Sequence, residues 1–270
     1  MDTIGFIGSG NMAEAMINGV LKANVYRPGK VFVSDIRPDR LAYLREHYGV
    51  RATETNAELA SNADIVVLSV KPQNMTDALE NIKGTIKPDA LVISIAAGIR
   101  TVDIAAVLGD IAIIRVMPNM PAWVDEGASV LFANDKAQSR LEMARLIFLS
   151  VGKADIVEDE GLIDAVTAVS GSGPAYFFLL LDRMIDAAVE LGLPEEIATN
   201  LVLQTGKGAC ILAEKVGEGG ESPADLVKRV ATPGGTTEAA FNVFKEGKFG
   251  LIVNAAIKKA CRRSRELSHG

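Results

Sequence analysis

Two stretches of this 270-residue sequence combine residue types and spacings that can do chemistry. The first, residues 4–13, reads I-G-F-I-G-S-G-N-M-A, a G-x-G at Gly8 and Gly10 with Ala13 in the third position. Gly8 permits a tight turn out of a strand, Gly10 lets backbone amides approach a pyrophosphate, and a small Ala13 lets the next helix sit close to the sheet. The pyrophosphate then rests on a helix N-terminus. The motif alone is weak, and a Gly-rich turn of no consequence is the alternative. Its place between a strand and a helix makes it a dinucleotide fingerprint, with contacts expected from Ile7, Gly8, Ser9, Gly10, Asn11 and Met12. A following strand, V-F-V-S-D-I-R, ends at Asp35. An acid there bonds a ribose 2′-hydroxyl and favours NAD, whereas a nearby Arg accepts a 2′-phosphate. Ser34 and Arg37 flank Asp35, so the residues admit NADPH or NADH; Asp35 as a mere turn or cap residue before Pro38 is the other reading. Ligands in such sheets lie outside the carboxyl ends of the strands. That rule adds Ser69, Val70, Lys71 and Pro72, then Ala96, Ala97 and Gly98, and the Met117-Pro118-Asn119 end of a further strand; Asn56 is a further cofactor-binding candidate. Small residues at these places serve packing equally well.

The second stretch is Pro233-Gly234-Gly235-Thr236-Thr237, preceded by Thr232. Two glycines and two threonines before a helix offer several N–H groups and two hydroxyls to an anion. The threonines can also simply cap that helix. Ser170-Gly171-Ser172-Gly173-Pro174 is a candidate wall of the same site, Ser172 and Gly173 above all, because small residues admit close approach; it serves equally as a break between helices.

The elements that position these residues fall into two textures. Up to about residue 157, short apolar runs at 3–7, 30–34, 65–69, 91–95 and 113–117 alternate with helical stretches at 12–23, 40–47, 74–82 and 102–108. Residues 127–133 and a helix over 138–149 extend the sheet. Continuous apolar strands separated by helices require a parallel sheet covered on both faces. Beyond Gly161 nearly everything reads as helix: 164–169, 175–191, 197–216, 223–230, 237–245 and 251–267, with Ser222 placed to cap the fourth. The fold class is α/β: an N-terminal Rossmann dinucleotide-binding domain over residues 1–157 with a mostly parallel sheet, then an all-α domain over 158–270 for substrate binding and oligomerisation. The run Tyr176-Phe177-Phe178-Leu179-Leu180-Leu181 makes the 175–191 helix apolar around its circumference. Such a helix is buried on all sides, which predicts a core between subunits; a central helix of a monomer is the alternative.

Composition narrows the partners. Hydrophobic residues make up 49% of the chain and the net charge is −6. Acids and bases are interspersed, so no nucleic-acid partner is expected. The Lys258, Lys259, Arg262, Arg263, Arg265 cluster reads as the solvated face of a last helix. Cys210, Cys261, His47 and His269 lack disulfide or metal-ligand spacing, so no metal is expected. The amino terminus lacks the basic region of a signal peptide, and the apolar stretches around 90–99 and 175–181 are shorter than the ~20 residues of a membrane span. The expectation is a soluble, cytoplasmic protein without a membrane partner.

Together these motifs resemble the pyrroline-5-carboxylate reductase family over essentially the whole length. The resemblance is carried by G-F-I-G-S-G-N-M-A at 5–13, S-V-K-P at 69–72, A-A-G at 96–98, R-V-M-P-N-M-P at 115–121 and E-G-A-S at 126–129. It rests above all on A-V-S-G-S-G-P-A-Y at 168–176, P-G-G-T-T at 233–237 and N-A-A-I-K-K-A-C-R-R-S-R-E-L at 254–267. It implies reduction of 1-pyrroline-5-carboxylate to L-proline with NADPH or NADH, the last step of proline biosynthesis. It also implies dimers through interlaced C-terminal domains, often built into decamers. By the same resemblance the loop at Thr232, Gly234, Gly235, Thr236 and Thr237 holds the substrate carboxylate, and the Thr237 hydroxyl lies near the ring nitrogen. One departure concerns the cofactor: many NADPH-preferring relatives carry Asn-Arg or a similar pair where this chain has Asp35-Ile36. A protonated imine needs orientation more than a strong acid. Rossmann enzymes that oxidise 3-hydroxy acids carry a Lys four residues after a Gly-rich motif; P-A-Y-F-F-L-L-L-D after Gly173 has none. Reduction of another cyclic imine, and a redox sensor without turnover, remain the competing readings.

Overall fold

The computed structural model describes residues 2–268; His269, weighed above as a metal ligand, lies outside them. The chain divides into two compact units, one running to Pro174 and resuming at Lys259, the other Ala175–Lys258.

The first unit is built on eight strands in the order β3-β2-β1-β4-β5-β6-β7-β8. They are β1 (Ile4–Ile7), β2 (Val31–Ser34), β3 (Arg51–Ala52), β4 (Ile65–Leu68), β5 (Leu91–Ser94), β6 (Ala112–Met117), β7 (Gly127–Ala133) and β8 (Gly152–Ile156). From β3 to β6 every pairing is parallel; β7 runs antiparallel to β6, and β8 parallel to β7. The sheet is thus mostly parallel. Every residue of β1, β2, β4 and β5 is buried, as strands covered on both faces must be. One face packs Met16, Ile17 and Val20 of α1 (Asn11–Lys22), Leu44 of α2 (Pro38–Tyr48) and, from a later helix, Ile147 and Phe148. The other carries Leu59 of α3 (Asn56–Asn62), Leu79 and Ile82 of α4 (Met75–Ile82) and Ile104 of α5 (Thr101–Leu108). The helix expected over 138–149 is a 3₁₀ turn, Asp135–Arg140, followed by α6 (Leu141–Leu149). The sequence reading missed β3, β8 and α3.

The helix expected at 164–169 is α7 (Ile163–Val166) followed by a π-turn at Thr167–Gly171. Then come α8 (Gly173–Glu190), α9 (Glu195–Gly217), α10 (Pro223–Val230), α11 (Thr236–Glu246) and α12 (Phe249–Ser268). Ser222 caps α10 as expected, accepting from the Asp225 N–H. In the second unit only Ala198 and Val202 are buried among the described hydrophobic residues. The helical run Glu160–Glu190 is long and apolar enough, by length and composition, to cross a membrane. Reading the apolar stretches separately missed this, because Gly and Pro at 171–174 interrupt the apolar letters but not the helical path.

Candidate active site

The G-x-G turn is held peptide by peptide. Gly8 leaves β1 with φ +83°, and a Cβ there would meet the Ser69 carbonyl oxygen and the Val70 nitrogen at 3.0 Å. Its N–H donates to the Ser34 carbonyl at 2.9 Å. In the next plane the Gly8 carbonyl accepts from Ser69 Oγ at 2.6 Å, while the Ser9 N–H donates to Asp35 Oδ2 at 2.9 Å. In the third, the Ser9 carbonyl accepts from Arg40 Nε at 2.6 Å. Gly10 then caps α1 in an extended conformation without a side-chain hydrogen bond. The first N–H groups of the helix therefore keep the capacity an N-terminus offers an anion.

A Cβ on Gly10 would meet no protein atom within 4 Å, and its backbone is one any residue adopts. Neither packing nor conformation demands glycine there. The missing side chain leaves room for something outside the chain, as the close approach of a pyrophosphate to such a turn requires. Gly10→Ala should therefore melt like the parent while its nucleotide Kd rises about tenfold from crowding. Thermal unfolding beside a nucleotide titration checks this; a stability loss without an affinity loss contradicts it.

Asp35 is a brace as well as a strand end. Its Oδ1 accepts from the Arg37 N–H and Nε at 3.0 Å, its Oδ2 from Arg37 Nη2 at 3.2 Å. Burial opposes the charge of Asp35, but hydrogen bonds from Arg37 and the Ser9 N–H outweigh it and hold the carboxyl below the ordinary range. The turn role weighed above is thus present, although the cap of α2 is Arg37. Beside Asp35 lies a cleft of about 400 Å³ lined by Ser34, Ile36, Thr55 and Asn56 among others. Ser34 Oγ donates to Asn56 Oδ1 at 2.7 Å, and Ile36 is 94% exposed. The cleft thus has a polar floor and a bare apolar wall.

The remaining candidates of this unit sit at the other strand ends. Ser69–Pro72 follow β4 and Ala96–Gly98 follow β5. Gly98 lies against the end of α12, where a Cβ would come 3.1 Å from the Leu267 carbonyl. After β6, Asn119 Nδ2 donates to the Ser170 carbonyl at 3.2 Å and its Oδ1 accepts from the Ala128 N–H at 2.8 Å. This pins the S-G-S-G-P segment, with Ser172 and Gly173, to the end of β6. Buried Arg115 of β6 pairs with Glu160 at 3.2 Å, and Glu160 also accepts from the Thr101 N–H and Oγ1 at 2.8 Å. Asp164 accepts from Ser264 Oγ at 2.6 Å. These anchors were not foreseen.

Thr232, Gly234, Gly235, Thr236 and Thr237 lie in the second unit, at the start of α11. Gly234 has φ +73°. Its N–H donates to Glu238 Oε2 at 2.7 Å, and the Gly235 N–H donates to the Thr232 carbonyl at 3.0 Å. Neither threonine caps the helix: Gly235 does, with no side-chain hydrogen bond. The cap reading fails because both threonines already stand inside the first turn, leaving its N–H groups open. Among the described residues no group of three or more His, Cys, Asp or Glu side chains could hold a metal ion.

Known proteins give this geometry its context. A family described as NADP oxidoreductase, coenzyme F420-dependent, matches residues 3–98, and one described as pyrroline-5-carboxylate reductase dimerisation matches residues 160–267. The chain is 43% identical over 269 residues to the pyrroline-5-carboxylate reductase of Pseudomonas aeruginosa, covering 98% of this chain and 96% of that one. It belongs to the pyrroline-5-carboxylate reductase family. Among solved reductases it is similar to that of Coxiella burnetii, with TM-score 0.91, 38% identity, and 99% and 98% of the two chains covered. It is also similar to that of Plasmodium falciparum with NADP bound, with TM-score 0.89, 31% identity and the same coverage. The N-terminal Rossmann domain and the helical C-terminal region are thus those of a pyrroline-5-carboxylate reductase, an NAD(P)H-dependent oxidoreductase. The dimerisation region contains the helices whose apolar side chains are exposed in the single chain.

Proposed function

We propose that this chain reduces 1-pyrroline-5-carboxylate to L-proline with NADPH or NADH. The observation that carries the reading is a nucleotide turn with room left at Gly10, in a chain alike along its whole length to pyrroline-5-carboxylate reductases. Residues 1–157 bind the dinucleotide through Ile7–Met12, Ser34, Asp35, Arg37, Asn56, Ser69–Pro72 and Ala96–Gly98. Residues 158–270 bind the substrate and pair chains into dimers, with decamers as the further assembly. The protein works in the cytoplasm, without nucleic acid or membrane as partner.

The bound nicotinamide supplies a hydride. The chain's own task is to hold a carboxylate and present a protonated C=N bond. Main-chain N–H groups of Thr236 and Thr237 take the carboxylate, with Thr232, Gly234 and Gly235 shaping the loop. Glu238 gives up the Gly234 N–H to the arriving anion. The Thr237 hydroxyl bonds the ring nitrogen, whose C=N π electrons become its lone pair as carbon accepts the hydride. Ser172 and Gly173 are the remaining candidates for substrate binding. Purified protein should oxidise NADPH or NADH only when pyrroline-5-carboxylate is present, and a panel of other cyclic imines should turn over more slowly. No turnover with either cofactor at saturating substrate defeats the proposal.

Asp35 sets the cofactor balance. Two unit charges 4 Å apart interact by about 1 kcal/mol in water and more near a protein surface. Asp35→Ser should therefore raise the NADPH-to-NADH ratio of kcat/KM by about tenfold. Both absolute values fall, because the Ser9 brace is lost too. Paired steady-state kinetics test this, and an unmoved ratio removes Asp35 from cofactor selection.

A further inference from the structure

The sequence reading gave Arg40 and Glu14 no role. We infer that Arg40, held in place by Glu14, is a positioning residue that aims the Gly10 N–H at the cofactor's pyrophosphate. The inference rests on nucleotide binding at the G-x-G turn. A peptide unit is planar and trans, so its C=O and N–H point in opposite directions. Fixing the Ser9 carbonyl fixes the Gly10 N–H on the far side. Arg40 Nε grips that carbonyl at 2.6 Å, and Nη2 stands 3.5 Å from the Gly10 carbonyl, the outer limit of a hydrogen bond. The turn's earlier peptide planes are held by Ser34, Ser69 and Asp35. The third depends on Arg40.

Glu14 keeps Arg40 there. It stands in the first turn of α1 and accepts from Arg40 Nη2 at 2.5 Å, from the Tyr48 hydroxyl at 2.9 Å and from the Tyr43 hydroxyl at 3.1 Å. Both charged side chains of the pair are largely buried, at 15% and 12% exposure. Burial opposes the Glu14 charge, yet hydrogen bonds from Arg40, Tyr48 and Tyr43 hold its carboxyl below the ordinary range. The guanidinium fork lets one side chain meet a carbonyl and a carboxylate together, which a lysine does poorly. The clamp ties α2 to the phosphate end of α1.

The test measures the affinities of NADH and NADPH directly, by nucleotide fluorescence, beside steady-state kinetics and thermal unfolding. Arg40→Met should raise both Kd values by about tenfold and by equal factors, with kcat at saturating cofactor within about twofold of the parent and the imine KM unchanged. Arg40→Lys should recover part of the loss. Glu14→Gln should weaken both cofactors by about threefold, and the double variant should be no worse than Arg40→Met alone, because Glu14 acts through Arg40. Unchanged affinity in folded Arg40→Met overturns the inference. So does a loss confined to NADPH, which makes Arg40 a ligand of the 2′-phosphate instead. If Arg40→Met does not fold, Glu14→Gln carries the test, and parental affinity there overturns it equally. A parent that binds neither nucleotide defeats the proposed function itself, an outcome the untouched protein reveals first.

Discussion

Thr237→Ala is expected to slow reduction of pyrroline-5-carboxylate by about a hundredfold while nucleotide affinity stays at the parental value. The substitution is clean on structural grounds. Thr237 is half-buried in the first turn of α11, whose cap is the backbone of Gly235, so removing the hydroxyl removes no cap. Alanine is also the better helix former. What is lost is a hydroxyl beside the N–H groups assigned to the carboxylate, and a donor realised at the reacting nitrogen is felt in kcat rather than in cofactor binding. Thr237→Ser keeps the hydroxyl and should restore most of the rate. Single-turnover rates beside nucleotide Kd values decide the matter. A collapse of nucleotide affinity in Thr237→Ala shows that this hydroxyl belongs to another task.

What could be read from the letters was what depends on neighbours in the chain. The apolar runs of β1, β4 and β5 declare buried parallel strands, because both faces of each are covered. The turn at Gly8–Gly10 is legible because its glycines fall within a few consecutive residues between a strand and a helix, although the partners that hold its peptides come from Ser34, Asp35, Ser69 and Arg40. By contrast β8, G-K-A-D-I, alternates small or apolar residues with charged ones at the edge of the sheet, and β3 is two exposed residues. Neither carries a hydrophobic signal. The short α3 left one trace, T-N-A-E at 55–58, where the Thr55 side chain accepts from the Glu58 N–H. The braces of the site were illegible. Arg40 and Glu14 lie 26 residues apart and Arg115 and Glu160 lie 45 apart. Charged residues at such spacings are ordinarily solvent-facing. Only the fold makes them partners.

The helical unit makes the second large prediction, because it lacks a core of its own. Among its described hydrophobic residues only Ala198 and Val202 are buried, whereas Phe177, Phe178 and Leu179 on α8 are 60%, 54% and 62% exposed. Monomers rarely leave apolar surface of this kind in water. Burying one such side chain stabilises by roughly 1.5–3 kcal/mol, and a two-fold interface counts each residue twice. Phe177→Asp should therefore raise the dimer dissociation constant by more than about a hundredfold, since it removes two buried rings and introduces two charges. Sedimentation at micromolar concentration should find the parent self-associated and the variant monomeric. The parent's Tm should rise with protein concentration, as it does where folding and pairing are one equilibrium. The variant should lose reductase activity with its assembly, because a helical unit deprived of its partner has too little buried surface to hold the 232–237 loop in one geometry. A monomeric parent with a concentration-independent Tm contradicts this, and the apolar circumference of α8 then needs another cover.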